Sequence, residues 1–100
     1  MDKYNLKILP KVYRNLDEIY YYISDVLQST QSAINLVDDL EKAIFSLEFI
    51  PYRGSKRRTG TYSSKDYRQI FVKNFTIIYR INRDSKEVVV ANIRYTKSEM

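Results

Sequence analysis

The sequence predicts an α+β domain with the element order β-α-α-β-β-β, in which a helical hairpin packs on one face of a small antiparallel sheet. Two observations support this prediction. Apolar residues recur at steps of three and four across residues 12–47, which is the spacing of amphipathic helices, and β-branched and aromatic residues dominate residues 67–95. Two helices with facing apolar stripes need a further surface to cover them, and the apolar side of the sheet has the right size.

The N-terminal half predicts a short strand followed by two helices. Residues 3–9 alternate as in a strand, and Pro10 ends the run. The first helical stripe extends to Leu27. Residues 28–32 separate the two helices and supply hydroxyls that can cap the second, whose pattern continues to Phe49 before Pro51 ends it. The first stripe consists of Val12, Leu16, Ile19, Tyr20, Ile23, Val26 and Leu27, and the second of Ala33, Leu36, Val37, Leu40, Ala43, Ile44 and Leu47.

Residues 67–95 predict a three-stranded antiparallel meander, with turns at residues 73–74 and 82–86. Counting in steps of two gives each strand two faces. The apolar side is expected to carry Phe75, Ile77, Tyr79 and Ile81 of the second strand with Val89, Ala91, Ile93 and Tyr95 of the third. The other side is expected to display Arg68, Arg80, Asn92 and Arg94.

Length and composition exclude several classes of protein. We expect residues 1–100 to form a single domain. The chain contains no cysteine and no histidine, so disulfides, zinc-finger spacings and a histidine base are excluded, and we expect no metal or cofactor. No apolar run suits a signal peptide or the roughly 20 residues that span a bilayer. We therefore expect a cytoplasmic protein with no membrane partner.

The charge is strongly asymmetric along the chain. Residues 1–50 carry five basic and eight acidic side chains, a net −3, whereas residues 51–100 carry twelve and four, a net +8. The two halves sum to the +5 of the whole chain. A basic half predicts an anionic partner, either a phosphate backbone or an acidic protein.

The segment that joins the second helix to the meander concentrates this positive charge. One interpretation is a solvated basic loop, and the other is a loop that contacts phosphates, since neighbouring cations bind a polyanion more strongly than single ones. Tyrosines at positions 52, 62 and 67 are placed to stack on bases or guanidinium planes. The candidate binding residues are Arg53, Lys56, Arg57 and Arg58, together with Lys73 in the first turn of the meander.

The order of these elements resembles the RelE/ParE superfamily of bacterial type II toxins over essentially the whole chain. The resemblance rests on the segments NLDEIYYYI, LEFIPYRG, YRQIFVKNFTIIYRI and VVVANIRYTKS. It implies a compact α+β toxin, growth arrest when the toxin is free, and co-expression with a small antitoxin. We expect this cognate antitoxin to lay an acidic, amphipathic segment along the helical hairpin or the sheet edge.

The superfamily divides between two mechanisms. RelE-like members cleave messenger RNA in the ribosomal A site, which requires a group to activate the 2′-hydroxyl, cations for the phosphorane and an acid for the leaving oxygen. Thr76 and Ser98 stand where RelE-like enzymes carry arginines. If the chain is a nuclease, the candidate catalytic residues are Arg68, Arg80, Arg94, Tyr95 and Lys97.

ParE-like members are associated with poisoning of DNA gyrase. The long hairpin and its ending at Leu47, Pro51 and Gly54 look more like that branch. The resemblance therefore favours a gyrase-directed toxin, with a ribosome-dependent mRNA endonuclease as the alternative. A third interpretation is a nucleic-acid-binding module without catalysis, which the charge and the aromatic residues support.

Overall fold

In the computed structural model of the chain, the described residues are 3–57 and 67–99. The described residues form two α-helices and five strands, with short 3-10 turns at Pro51–Arg53 and Thr96–Glu99. The helices are α1 (Pro10–Tyr21), which continues into a π-helical segment (Tyr22–Val26), and α2 (Thr30–Ser46). The strands are β1 (Asn5–Ile8), β2 (Ser55–Lys56), β3 (Tyr67–Val72), β4 (Phe75–Asn82) and β5 (Glu87–Tyr95).

The strands form one sheet in the order β1-β5-β4-β3-β2. The predicted meander is confirmed, because β3 pairs antiparallel with β4 and β4 with β5. The sheet as a whole is mixed rather than antiparallel, since β1 runs parallel to its neighbour β5. The α+β class and the helical hairpin on one face are confirmed.

The first helix departs from the predicted single stripe near its end. Pro10 occupies the first turn, where its missing N–H costs nothing. After Tyr21 the backbone widens into the π-helical segment, in which the Leu27 N–H donates to the Tyr22 carbonyl at 3.1 Å. A π turn takes more residues than an α turn, so later side chains rotate away from the stripe. Val26 and Leu27, predicted to be buried, are therefore exposed. No helix in the described ranges is long and apolar enough to cross a membrane.

The core is a single layer between the hairpin and the sheet. Val12 of α1 and Leu40 of α2 are fully buried against Ile77 and Val90 of the sheet. The other core residues from the helical side are Leu36, Ala43, Ile44 and Leu47, and those from the sheet are Ile70, Tyr79, Ile81, Val88 and Ile93. The predicted helical stripes thus supply most of the helical side of the core.

A β-bulge in β5 overturns part of the predicted face assignment. Ile78 pairs with Asn92, but the next residue of β4, Tyr79, pairs with Val90, so Ala91 is the extra residue. The extra residue shifts the alternation by one position. Val88 and Val90 consequently enter the core, and the prediction that Val89 faces the helices is wrong.

The prediction that Arg68 belongs to the cationic face of the sheet is also wrong. The two-residue turn at Lys73 and Asn74, in which Lys73 has a φ of 53°, aligns Val72 with Phe75. This alignment places Arg68 opposite Tyr79, on the side of the sheet that faces the helices, and not on the face of Arg80 and Arg94. A strand alternates strictly outward from such a turn, so the turn decides the face of every residue in β3.

The face away from the helices is not an open basic surface. Thr76 and Ile78 are fully buried there, and Asn92 is only 2 % exposed. The Thr76 hydroxyl lies 2.9 Å from that of Thr96, in the turn that follows β5. This face therefore offers a smaller cationic area than the alternation of β4 and β5 indicated.

Candidate functional site

A basic cleft opens at the end of the sheet where β3 begins and β4 ends. Its volume is about 420 Å3. Its lining residues are Tyr52, Lys56, Arg68, Arg80, Ile81, Asn82, Arg83 and Asp84. They come from the turn after α2, from β2, β3 and β4, and from the turn that joins β4 to β5. The cleft is thus assembled from segments that are distant in sequence.

One wall of the cleft depends on the close approach of Gly54 to β3 and β4. A Cβ at position 54 would lie 2.4 Å from the Gln69 carbonyl oxygen and 2.6 Å from the Tyr79 hydroxyl, so only glycine fits. The Tyr79 hydroxyl donates to the Pro51 carbonyl at 2.7 Å and accepts from the Gly54 N–H at 3.1 Å. These two bonds hold the turn that carries Tyr52 against the sheet.

The pKa of Tyr79 reflects this environment. Burial raises the pKa of its phenol above the ordinary value of 10.0 by penalising the phenolate, while the Gly54 N–H and the Arg68 guanidinium oppose the rise. The hydroxyl therefore stays protonated at neutral pH and remains a donor to Pro51.

Arg68 is the best-fixed cation in the cleft. Its Nη2 donates to the Gly54 carbonyl at 2.5 Å and lies 3.4 Å from the Tyr52 carbonyl oxygen. Its Nε is a buried atom that has no hydrogen-bond partner in the described parts of the chain. A buried donor without a partner is uncommon and costs free energy.

The Tyr52 ring ties two cations of the cleft together. The guanidinium carbon of Arg68 lies 5.3 Å from the ring centroid and that of Arg83 lies 5.6 Å from it. Both distances are within the range of a cation–π contact. The ring therefore holds Arg68 and Arg83 near each other in spite of their like charges.

The structure brings three of the predicted site residues together and disperses the others. Lys56, Arg68 and Arg80 all line the basic cleft, and Lys56 pairs directly with Arg68 across β2 and β3. Arg83 and Asp84 also line it and were not predicted. Their position could have been inferred from the antiparallel pairing of β3 with β4, because this pairing places the turn after β4 beside the start of β3.

Two of the predicted binding cations in the loop have partners within the fold. The Arg53 Nη1 donates to the Ser46 hydroxyl at 2.8 Å, at the end of α2. Arg57 is only 7 % exposed and donates through Nη1 to Gln69 Oε1 at 2.9 Å, which contradicts the expectation of a solvent-facing side chain. Arg58 lies outside the described residues.

Lys73 lies at the opposite end of β3 from the cleft. Its Nζ forms a salt bridge with Asp39 Oδ2 at 3.2 Å and so ties the turn before β4 to α2. An exposed pair of this kind stabilises a fold only slightly. Lys73 therefore does not join the other predicted binding residues.

The five candidate catalytic residues do not converge. Arg94 pairs with Thr76, four positions along β4 from Arg80, which separates them by about 13 Å at about 3.3 Å per residue. Tyr95 pairs with Phe75 on the helix-facing side, and the two ring centroids are 5.7 Å apart. This agrees with the prediction that Arg94 and Tyr95, as neighbours in a strand, point to opposite faces. Lys97 is exposed in the turn after β5. A shared face for Arg68, Arg80 and Arg94 is thus contradicted.

A second concavity, which we call the apolar groove, lies between the helical hairpin and the β3–β4 turn. Its volume is about 600 Å3. It is lined by Glu18, Ile19, Tyr22, Ile23, Leu27, Leu36, Lys73, Asn74, Phe75 and Tyr95. Most of these side chains are apolar or aromatic, with one acidic and one basic residue among them. Leu27 reaches the groove because the π-helical segment turns it out of the core, and the exposed Tyr22 stands at the start of that segment.

Comparison with known proteins places this arrangement in a family. Residues 6–100 match the family described as the ParE toxin of the type II toxin–antitoxin system, parDE. The chain belongs to the ParE toxin family. It is therefore a toxin of the type II toxin–antitoxin class within the RelE/ParE superfamily. No curated protein matches the chain.

Solved structures share the fold of this ParE-family toxin. A structure titled as the chromosomal ParDE toxin–antitoxin system from P. aeruginosa superimposes with a TM-score of 0.76 at 22 % identity, covering 95 % of this chain and 98 % of that one. The toxin–antitoxin complex RelBE2 from Mycobacterium tuberculosis gives a TM-score of 0.67 at 14 % identity, covering 93 % and 98 %. At these identities the likeness concerns the fold alone.

Proposed function

We propose that this ParE-family toxin arrests growth by acting on DNA gyrase and that a cognate antitoxin neutralises it. The observation that carries the proposal is the family match over residues 6–100. The dispersal of the candidate nuclease residues adds support, because RNA cleavage needs a base, an acid and stabilising cations around one phosphate. Among the described residues, those candidates are divided between two ends of the sheet.

The test is direct addition of the purified chain to gyrase and relaxed plasmid DNA. The expected result is loss of supercoiling and accumulation of linear DNA once the protein in the reaction is denatured. Prior mixing with the antitoxin restores supercoiling. Unchanged supercoiling at a tenfold excess of toxin over gyrase rejects gyrase as the target.

A ribosome-dependent mRNA endonuclease is the second candidate, and the basic cleft is the observation that favours it. Four cations line one cavity there, and cations stabilise the charge of a phosphorane. Cuts at fixed codon positions in translated messages, mapped from RNA 5′ ends after induction, would establish this activity. Nucleic-acid binding without any growth arrest would instead identify a plain binding module.

The apolar groove is the proposed docking site for the antitoxin. An amphipathic segment can lay an apolar face on Ile19, Ile23 and Phe75, while its acidic side chains respond to the positive field of the C-terminal half. The exposure of Tyr22 and Leu27 at the rim fits a surface that is covered in a complex. The antitoxin that fits this groove is a small acidic protein with an amphipathic segment.

A further inference from the structure

The basic cleft has an excess of positive charge that the described residues do not neutralise. Four cations and one carboxylate, Asp84, line it. Salt bridges within residues 3–57 and 67–99 involve other lysines, namely Lys3, Lys42 and Lys73. Bringing several cations into one cavity without matching carboxylates raises their mutual repulsion, so the arrangement favours an anion that enters from solution.

Arg68 presents a fixed positive charge to that anion. The Gly54 carbonyl already accepts from Nη2, whereas the buried Nε has no partner in the described part of the chain. Because Nε is buried, an oxygen atom that enters from solution meets the part of the guanidinium that lines the cleft and gains a charge-assisted bond there. The guanidinium is held by Gly54 and Tyr52 before any ligand arrives, so little side-chain entropy is lost on binding.

The charge distribution favours a polyanion over a single carboxylate. Lys56, Arg80 and Arg83 line the cleft from three different segments, so one carboxylate cannot neutralise all of them. A nucleic-acid backbone presents successive phosphates, and each neutralised phosphate releases counterions into solution. Phosphate also matches the planar donor pattern of arginine.

We propose that the basic cleft binds the phosphodiester backbone of a nucleic acid. In this arrangement the Arg68 guanidinium contacts one phosphate, and Lys56, Arg80 and Arg83 contact that phosphate and its neighbours. Tyr52 is engaged with two guanidinium groups and holds them in place. Binding depends on backbone charge and not on base identity. The proposal stands whether or not gyrase is the target of the toxin.

The test measures binding of a fluorescent 20-base-pair DNA duplex and a 20-nucleotide RNA to the full chain by anisotropy, over a range of salt concentrations. The double variant Lys56→Ala/Arg83→Ala removes two cations and leaves the Arg68 anchor in place. The matched control is Arg14→Ala, which removes an exposed arginine of α1 that does not line the cleft. Thermal unfolding verifies that both variants are folded.

The double variant is expected to reduce the slope of log K against log salt by about two, and to weaken duplex binding about eightfold per residue at 0.1 M salt. The control is expected to change the affinity less than twofold. Preferential binding of either the DNA or the RNA supports the proposal and identifies the source of the phosphodiester. Equal slopes for the double variant and the control overturn it.

Two competitors distinguish the phosphodiester from other anions. Inorganic phosphate is expected to displace the duplex only to the extent that its ionic strength predicts, and displacement at low millimolar concentration overturns the proposal in favour of a free-phosphate site. An acidic peptide of twenty alternating Asp and Glu residues is expected to compete weakly. Tighter binding of this peptide than of either oligonucleotide overturns the proposal in favour of a protein-docking site.

Discussion

Gly54 and Tyr79 form the joint that attaches the turn after α2 to the sheet. The Gly54 N–H donates to the Tyr79 hydroxyl at 3.1 Å, and that hydroxyl donates to the Pro51 carbonyl at 2.7 Å. This joint holds the turn that bears Tyr52. It also positions the Gly54 carbonyl, which accepts a hydrogen bond from Arg68. A structural contact in the interior thus positions the cations of the basic cleft.

Substituting Gly54→Ala is expected to destabilise the protein by about 2–3 kcal/mol. The new Cβ would meet the backbone oxygen of Gln69 at 2.4 Å, and backbone yields less readily than a side-chain tip. Urea unfolding at neutral pH measures the difference. The control is Ser55→Ala, an exposed neighbour on β2, which should alter stability by less than about 0.5 kcal/mol. Equal unfolding midpoints for the two variants would contradict the proposed clash.

Substituting Tyr79→Phe is expected to cost about 1–3 kcal/mol, because the Gly54 N–H and the Pro51 carbonyl lose their partner while the ring volume is kept. The matched control is Tyr13→Phe, at an exposed tyrosine of α1. Urea unfolding of both variants measures the contrast. A loss for Tyr79→Phe no larger than that of the control would show that water replaces the hydroxyl without cost.

The raised pKa of Tyr79 predicts a loss of stability at alkaline pH. Folding raises this pKa, so the folded protein holds the phenolic proton more tightly than the unfolded chain does. The stabilisation is complete below the ordinary tyrosine pKa of 10.0 and is lost as the pH rises through the higher folded-state value. The unfolding free energy should therefore fall above about pH 10.

The pH effect is isolated by comparing the wild type with Tyr79→Phe from pH 8 to pH 11. The other tyrosines and the lysines titrate in both proteins and cancel in the difference. The stability advantage of the wild type should shrink towards pH 11. An advantage that stays constant over this range would rule out a raised pKa at Tyr79.

Substituting Tyr22→Asp is expected to weaken antitoxin binding at least tenfold, about 1.4 kcal/mol, since it places a charge in the apolar groove and opposes an acidic partner. Tyr21→Asp is the matched control, because Tyr21 is adjacent and exposed but does not line the groove. Isothermal titration with the antitoxin measures both. Equal losses for the two variants would place the antitoxin elsewhere. Gyrase inhibition by Tyr22→Asp should persist when the antitoxin is present.

The N-terminal strand, the two helices and the meander could be predicted because local periodicity and turn chemistry were consistent along the chain. The strand β2 was not predicted, since two residues are too few to show an alternation. The face assignment failed at β5 because counting in twos assumes an unbroken strand, and Ala91 adds a residue that the alternation does not reveal. Arg68 was assigned to the wrong face for a different reason. The two-residue turn at Lys73 and Asn74 already specified its pairing with Tyr79, so that information was present in the sequence.

The candidate site was only partly predictable. Basic charge in the C-terminal half and a tyrosine-bearing loop indicated an anionic partner, and Lys56, Arg68 and Arg80 were among the residues named. Arg57 was named as well, yet its guanidinium is buried against Gln69. Charge alone does not distinguish a cation that faces solvent from one that the fold uses as a hydrogen-bond donor.

By itself, the sequence determined the two helices, the strand β1, the meander and the uneven charge, because each of these depends on residues close together along the chain. The tertiary structure alone decided which cations meet. Lys56, Arg68, Arg80 and Arg83 come together only through strand register and through the packing of the Gly54 turn on Tyr79. Such contacts join residues far apart in sequence. The turn at Lys73 and Asn74 specifies the β3–β4 register, but no local pattern records the packing of the Gly54 turn or the pairing of β2 with β3.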